Sequence, residues 1–275
     1  MKKVTYKIFT LLTVIIITGI SIQAQSYTEI IADGWGKGLQ NSKPTFADID
    51  NDGLLDLLIG NSAYGTIFHY EQSSVGSTTF DFITYNFNNI MVGSNAVPVF
   101  TDIDNDGLLD LIIGEFDGNL NHYEQASSGS ETFNLITENF SSIDVGYRSS
   151  PSFTDLDHDG LLNLIIGLQN GTLHHYEQTS TGSATFTLLS SNFNGIDVGY
   201  EAAPTFIDMN NNGQLDLVIG ASDGTVSYYE QVAGEDTPTY YVINHEWGYP
   251  CAWSLPNYII FGNQFSFRYE LATKL

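Results

Sequence analysis

One segment of this chain occurs four times. Pro44 to Gly60 (PTFADIDNDGLLDLLIG) returns as Pro98 to Gly114, Pro151 to Gly167 and Pro204 to Gly220, its first Asp recurring at spacings of 54, 53 and 53 residues. A second block follows each copy, with His69 to Gln72 (HYEQ) matched by His122 to Gln125, His175 to Gln178 and Tyr228 to Gln231. A third block closes the unit at Phe87 to Gly93, Phe140 to Gly146 and Phe193 to Gly199. A period of about fifty residues restricts the fold to a stack or ring of like units, because each unit can bury its apolar faces only against its neighbours.

Within each unit, short runs rich in Val, Ile, Leu, Phe, Tyr and Thr alternate with Gly, Asn, Asp and Ser clusters, the pattern of strands joined by turns. The first unit reads as four strands near Thr45 to Ala47, Leu55 to Ile59, Thr66 to Gln72 and Thr79 to Asn86. No run of helical period and adequate length occurs between Gly34 and Gln231. The expected fold is all-β: a β-propeller of four-stranded blades, about four repeats of 53 residues, over residues 26–244. The repeats lie near 44–97, 98–150, 151–203 and 204–244. Tyr27 to Ala32 and Thr239 to Asn244 both align with the last strand of the unit, so the ring is either incomplete or closed by a terminal strand. Residues 245–275 match no repeat and are left unassigned as a degenerate cap, an attachment tail or a truncated end.

Residues 1–25 read as a cleaved signal peptide: Lys2, Lys3 and Lys7 precede an apolar run of 15 residues, Ile8 to Ile22, and Ala24 offers a small residue for cleavage. That run is shorter than the roughly 20 residues that span a bilayer. The expected location is therefore secreted or at the cell surface, without membrane insertion after cleavage. The mature chain would carry five basic against 32 acidic residues, a net charge of −27, which excludes nucleic acid as a partner. Cys251 is the sole cysteine, so no intrachain disulfide staples the fold.

The acidic residues are concentrated in the repeated loops. Asp48, Asp50, Asp52 and Asp56 fall at loop positions 1, 3, 5 and 9, with Gly53 at position 6 and the carbonyl of Leu54 at position 7. This places oxygen donors as calcium loops place them, although position 12 is Ile59 and the flanks are strands. Four carboxylates about 5 Å apart repel by roughly 5 kcal/mol in total even at a water-like dielectric, a cost that an ordinary hairpin turn would not carry four times. The equivalent donors are Asp102, Asp104, Asp106, Leu108 and Asp110 in the second loop, and Asp155, Asp157, Asp159, Leu161 and Asn163 in the third. The fourth has Asp208, Asn210, Asn212, Gln214 and Asp216. Charge falls from the first two loops to the third and then the fourth, so up to four Ca2+ ions are expected, with the fourth site weak or empty.

These repeats resemble the FG-GAP and VCBS repeats of integrin α chains and secreted bacterial proteins, over about residues 44–231 and on the DxDxDGxxDLxxG string. The resemblance implies a propeller, calcium at the Asp and Asn positions named above, and a role in adhesion or ligand recognition.

A zinc ring of His69, His122 and His175 with Glu71, Glu124 and Glu177 is set aside, since a feature present in every unit points to packing. Tyr70, Tyr123, Tyr176 and Tyr229 are assigned to the layers between blades. No GxSxG elbow or phosphate loop is present. The functional expectation is a non-catalytic binding or adhesion module for a glycan or extracellular protein, not an enzyme. Trp35, Tyr64, Phe116, Tyr147 and Tyr200 are its candidate contact aromatics. The alternative is a structural spacer or fragment of a larger surface protein, and a carbohydrate-active enzyme ranks behind both. An open ring would pair as a dimer through its edge strands.

Overall fold

The computed structural model describes residues 42–232 and 239–247, all within the compact unit Gly36–Leu275. The expected signal peptide, the Tyr27 to Ala32 strand, Trp35 and residues 248–275 lie outside the described residues.

Four antiparallel four-stranded sheets, each built from one repeat in the order of the chain, are arranged as a four-bladed β-propeller. Blade 1 comprises β1 (Lys43–Ala47), β2 (Asp56–Gly60), β3 (Ile67–Gln72) and β4 (Phe80–Thr84). Blade 2 comprises β5 (Val97–Thr101), β6 (Asp110–Gly114), β7 (Leu120–Gln125) and β8 (Phe133–Thr137). Blade 3 comprises β9 (Ser150–Thr154), β10 (Asn163–Gly167), β11 (Leu173–Gln178) and β12 (Phe186–Ser190). Blade 4 comprises β13 (Ala203–Ile207), β14 (Asp216–Gly220), β15 (Val226–Gln231) and β16 (Tyr240–Trp247). The expected strands differ from these by one or two residues at their ends.

The second strands of blades 2 and 3 are continuous apolar runs because a neighbouring blade covers each of their faces. In β6, Leu111 and Ile113 face blade 1 in a cluster with Ile49, Leu58 and Phe87, while Ile112 faces blade 3 beside Leu164, Ile166 and Tyr176. Blades 3 and 4 repeat this packing through Leu156, Ile165, Leu217, Ile219 and Tyr229. Of the four tyrosines assigned to the layers, Tyr176 and Tyr229 sit between blades, Tyr123 packs on the first cluster, and Tyr70 is buried with Leu57 and Ile59.

The HYEQ and Phe-Val-Gly blocks explain themselves in this packing. Gln125, Gln178 and Gln231 each donate through Nε2 across to the previous blade, to the carbonyls of Ile49, Ile103 and Leu156 at 2.7, 2.8 and 3.0 Å. Phe87, Phe140 and Phe193 are buried in single 3₁₀ turns and meet the rings of His69, His122 and His175 edge-on, at 5.1, 5.3 and 4.9 Å.

Blade 4 departs from the pattern on its far face. Met209 is 39% exposed, where the equivalent Ile49, Ile103 and Leu156 are at 0%, 1% and 0%. Gly60, Gly114 and Gly167 lie so close to the next blade that an added Cβ would meet its backbone oxygen at 2.0, 2.2 and 2.1 Å, whereas one at Gly220 would meet nothing within 4 Å. Among the described residues, nothing covers blade 4 as blade 2 covers blade 1.

Candidate metal centres

The acidic loops join the first and second strands of each blade, all at one end of the propeller. Their shape is set by two left-handed residues: Asn51, Asn105, His158 and Asn211 at position 4, with φ of 57–62°, and the Gly at position 6, with φ of 83–86°. A side chain is strained in the latter region, which is why Gly53, Gly107, Gly160 and Gly213 stand there. Position 1 braces the turn: Oδ2 of Asp48, Asp102, Asp155 and Asp208 accepts the Gly N–H of its loop at 3.1, 3.0, 3.0 and 2.9 Å.

This curl brings carboxylate oxygens together. Asp48, Asp50 and Asp52 each offer one oxygen within 4.8 Å of the others, as do Asp102, Asp104 and Asp110, and Asp155, Asp157 and Asp159. Oxygens that close fit on a coordination sphere with bonds of about 2.4 Å, the length calcium takes. Asp48 Oδ1, Asp155 Oδ1 and Asp157 Oδ1 are buried without any hydrogen-bond donor. A buried carboxylate oxygen left so is costly unless a cation faces it, and an all-oxygen donor set suits a hard one. The residues therefore fit a divalent cation. The carboxyls of Asp50, Asp104 and Asp157 are each pushed up from their ordinary value, first by desolvation and then by the neighbouring carboxylates of the same loop.

Position 9 has a further task. Asp56 and Asp110 are buried, and their Oδ2 atoms accept the N–H of Ile49 and Ile103, both at 2.7 Å. Their Oδ1 atoms accept from His69 and His122 Nε2 at 2.6 and 2.5 Å. Each such oxygen keeps one further lone pair for an ion. In the third loop Asn163 Oδ1 accepts from Leu156, while Nδ2 donates to His175 Nε2 at 3.2 Å and Glu177 Oε1 at 3.3 Å. In the fourth, Asp216 binds the N–H of Met209 and the hydroxyl of Tyr228. Each histidine is thus held inside its own blade, and no three-histidine site forms among the described residues.

The glutamates of the HYEQ strands belong to the loops instead. Glu71, Glu124 and Glu177 stand opposite position 9 on the adjacent strand. Their carboxyls are pushed up by desolvation and then by the aspartates of the same loop. Glu230 Oε1 accepts from Asn210 Nδ2 at 2.9 Å, so this side chain reaches loop position 3. The recurrence of Glu with the same period as the loop was the available signal, and cross-strand register gives it meaning.

The described residues among the candidate contact aromatics lie at the opposite end of the blades. Tyr64, Tyr147 and Tyr200 are 70%, 57% and 47% exposed, while Phe116 is half-buried between Tyr147 and the Arg148 guanidinium. Among the described residues no helix is long and apolar enough to cross a membrane.

Solved structures similar to this chain include an endo-1,4-beta-xylanase from Bacteroides thetaiotaomicron VPI-5482, at 12% identity and a TM-score of 0.47, covering 74% of this chain and 76% of that one. A GH62 hydrolase in complex with xylotriose is similar at 13% identity and a TM-score of 0.47, covering 75% and 70%. These matches correct the expectation of a non-catalytic binding or adhesion module from which an enzyme is set aside. An architecture does not by itself separate binding from catalysis. At this identity and TM-score the likeness carries no activity over to this chain. No curated protein matches it. The profile of the FG-GAP-like repeat matches three times, over residues 48–113, 102–166 and 155–219, and the chain belongs to that family.

Proposed function

We propose that this chain is an exported calcium-binding repeat protein, in which calcium ties together the loops at one end of each blade. The observation that carries the reading is the set of three carboxylate clusters in equivalent loops, with buried oxygens that have no donor in the first and third. Loops with three or four uncompensated carboxylates should open when the cation leaves, so the ions stabilise the fold. At about 1 mM calcium and a dissociation constant of about 0.1 mM, each site contributes roughly 1.4 kcal/mol. Export rests on the leader-like residues 1–25.

Calorimetric titration of the chelator-stripped chain with calcium, paired with thermal melts with and without chelator, tests the reading. It expects saturable binding, with the first two loops strongest, and a higher midpoint in calcium. A flat titration together with an unchanged midpoint would sink it.

A further inference from the structure

Among the described residues the chain has two cationic side chains other than histidine, Lys43 and Arg148, and both line one cleft. The cleft lies where the first strands of the blades begin, at the end opposite the acidic loops. Lys43 comes from blade 1, Asn95 from the entry to blade 2, Arg148, Ser149 and Ser150 from blade 3, and Glu201 from the entry to blade 4. Residues from all four blades therefore meet around one axial opening.

Comparison among the repeats shows that the blade does not need these charges. Lys43 occupies the position held by Val97, Ser150 and Ala203 in the other units, and Arg148 the position held by Asn95 and Glu201. Asn95, Arg148 and Glu201 are all left-handed, with φ of 55°, 54° and 54°. Long side chains in that region are uncommon and cluster at functional sites.

The two cations are undercompensated. Arg148 Nη1 pairs with Glu201 Oε1, but Arg148 Nε is buried without an acceptor. The Lys43 ammonium has no ion pair or hydrogen bond among the described residues, and burial followed by the Arg148 charge lowers its pKa from the ordinary lysine value. Among the described residues lining the cleft, two cations against one carboxylate leave it locally positive in a chain of net charge −24. A buried guanidinium N–H without a partner calls for an oxygen acceptor.

We propose that the axial cleft between Lys43 and Arg148 binds a small carboxylate, which accepts from Arg148 Nε and the Lys43 ammonium. Tyr147 and Tyr200, next in sequence to Arg148 and Glu201, are exposed and available to the rest of the ligand. The site is independent of calcium binding at the far end of the blades.

The calcium-saturated full chain is titrated with sodium acetate, glutamate, glucuronate and inorganic phosphate, followed by ligand-detected NMR. The expected result is saturable binding of at least one carboxylate with a dissociation constant below about 10 mM. Lys43→Gln and Arg148→Gln should each weaken it about tenfold or more, and Glu201→Gln should strengthen it by releasing Arg148. Preference for glucuronate or glutamate over acetate would identify a sugar acid or an acidic side chain as the natural source. If Arg148→Gln does not fold, Lys43→Gln and the gain in Glu201→Gln still decide. Absence of saturable carboxylate binding, binding of phosphate alone, or affinities unchanged in the variants would overturn the proposal.

Discussion

The blade packing can be tested with two glycines in the same place in the repeat. Gly167 ends β10 against blade 4, and a Cβ there would lie 2.1 Å from the Ala202 carbonyl oxygen, 2.7 Å from its carbon and 2.8 Å from Pro204 Cδ. Two of those atoms are backbone, so the clash cannot be relieved by rotating a side chain. Restoring van der Waals distance would push β13 back by about 1 Å, and a gap of that size forfeits a quarter to a half of each contact across the interface. The contacts at risk include Ala202, Leu217 and Ile219. Overpacking of this kind costs up to about 3 kcal/mol, or a drop of roughly 6–12 °C in Tm for a domain of this size. Gly220 holds the same place in blade 4, has no described residue where its Cβ would be, and is not left-handed. Gly220→Ala should therefore leave Tm unchanged or raise it slightly, by about 0.5 kcal/mol of unfolded-state entropy. Thermal and urea denaturation of both variants at fixed calcium measures the difference. Equal, mild effects would refute the close approach of blades 3 and 4, and equal, severe effects would refute the difference in packing between the two glycines.

Other outcomes follow from the same contacts. Gln178→Leu removes bonds to Ile103 O, Ser183 O and Leu162 N, and should cost about 3 kcal/mol in urea denaturation. Gln72→Leu, whose bonds stay inside blade 1, should cost about 1 kcal/mol less. Burial lowers His175 to about 4 from 6.5, since its neighbour Asn163 offers no negative charge. The folded pKa lies below the unfolded one, so protons favour the unfolded chain: the penalty is absent above pH 6.5 and complete near pH 4, reaching about 3 kcal/mol. His175→Gln should lose that part of the acid sensitivity in pH-dependent melts under chelator, and an unchanged slope would count against it. Asp104→Asn should remove one calcium-binding event in calorimetry, while Asp208→Asn in the charge-poor fourth loop should change the isotherm little.

The repeat made most of this protein legible before any coordinates. Alternation of apolar runs with Gly, Asn and Asp clusters located the strands, and the two-residue spacing of Asp48, Asp50 and Asp52 marked carboxylates that come together, because those contacts close within a single turn. Tertiary structure decided what lies between distant residues. Position 9 reads in the sequence only as a further loop donor; strand pairing also buries Asp56 and has its oxygens accept from Ile49 and His69, leaving one lone pair on each. Glu71 looked like a companion of His69 and is instead aimed by cross-strand register at its own acidic loop. The sequence shows Lys43 and Arg148 only as isolated departures from the repeat in different units, with nothing to say that they meet in one cleft. Their convergence depends on how each blade is set against the next, and that follows from side-chain packing across interfaces that no local spacing encodes.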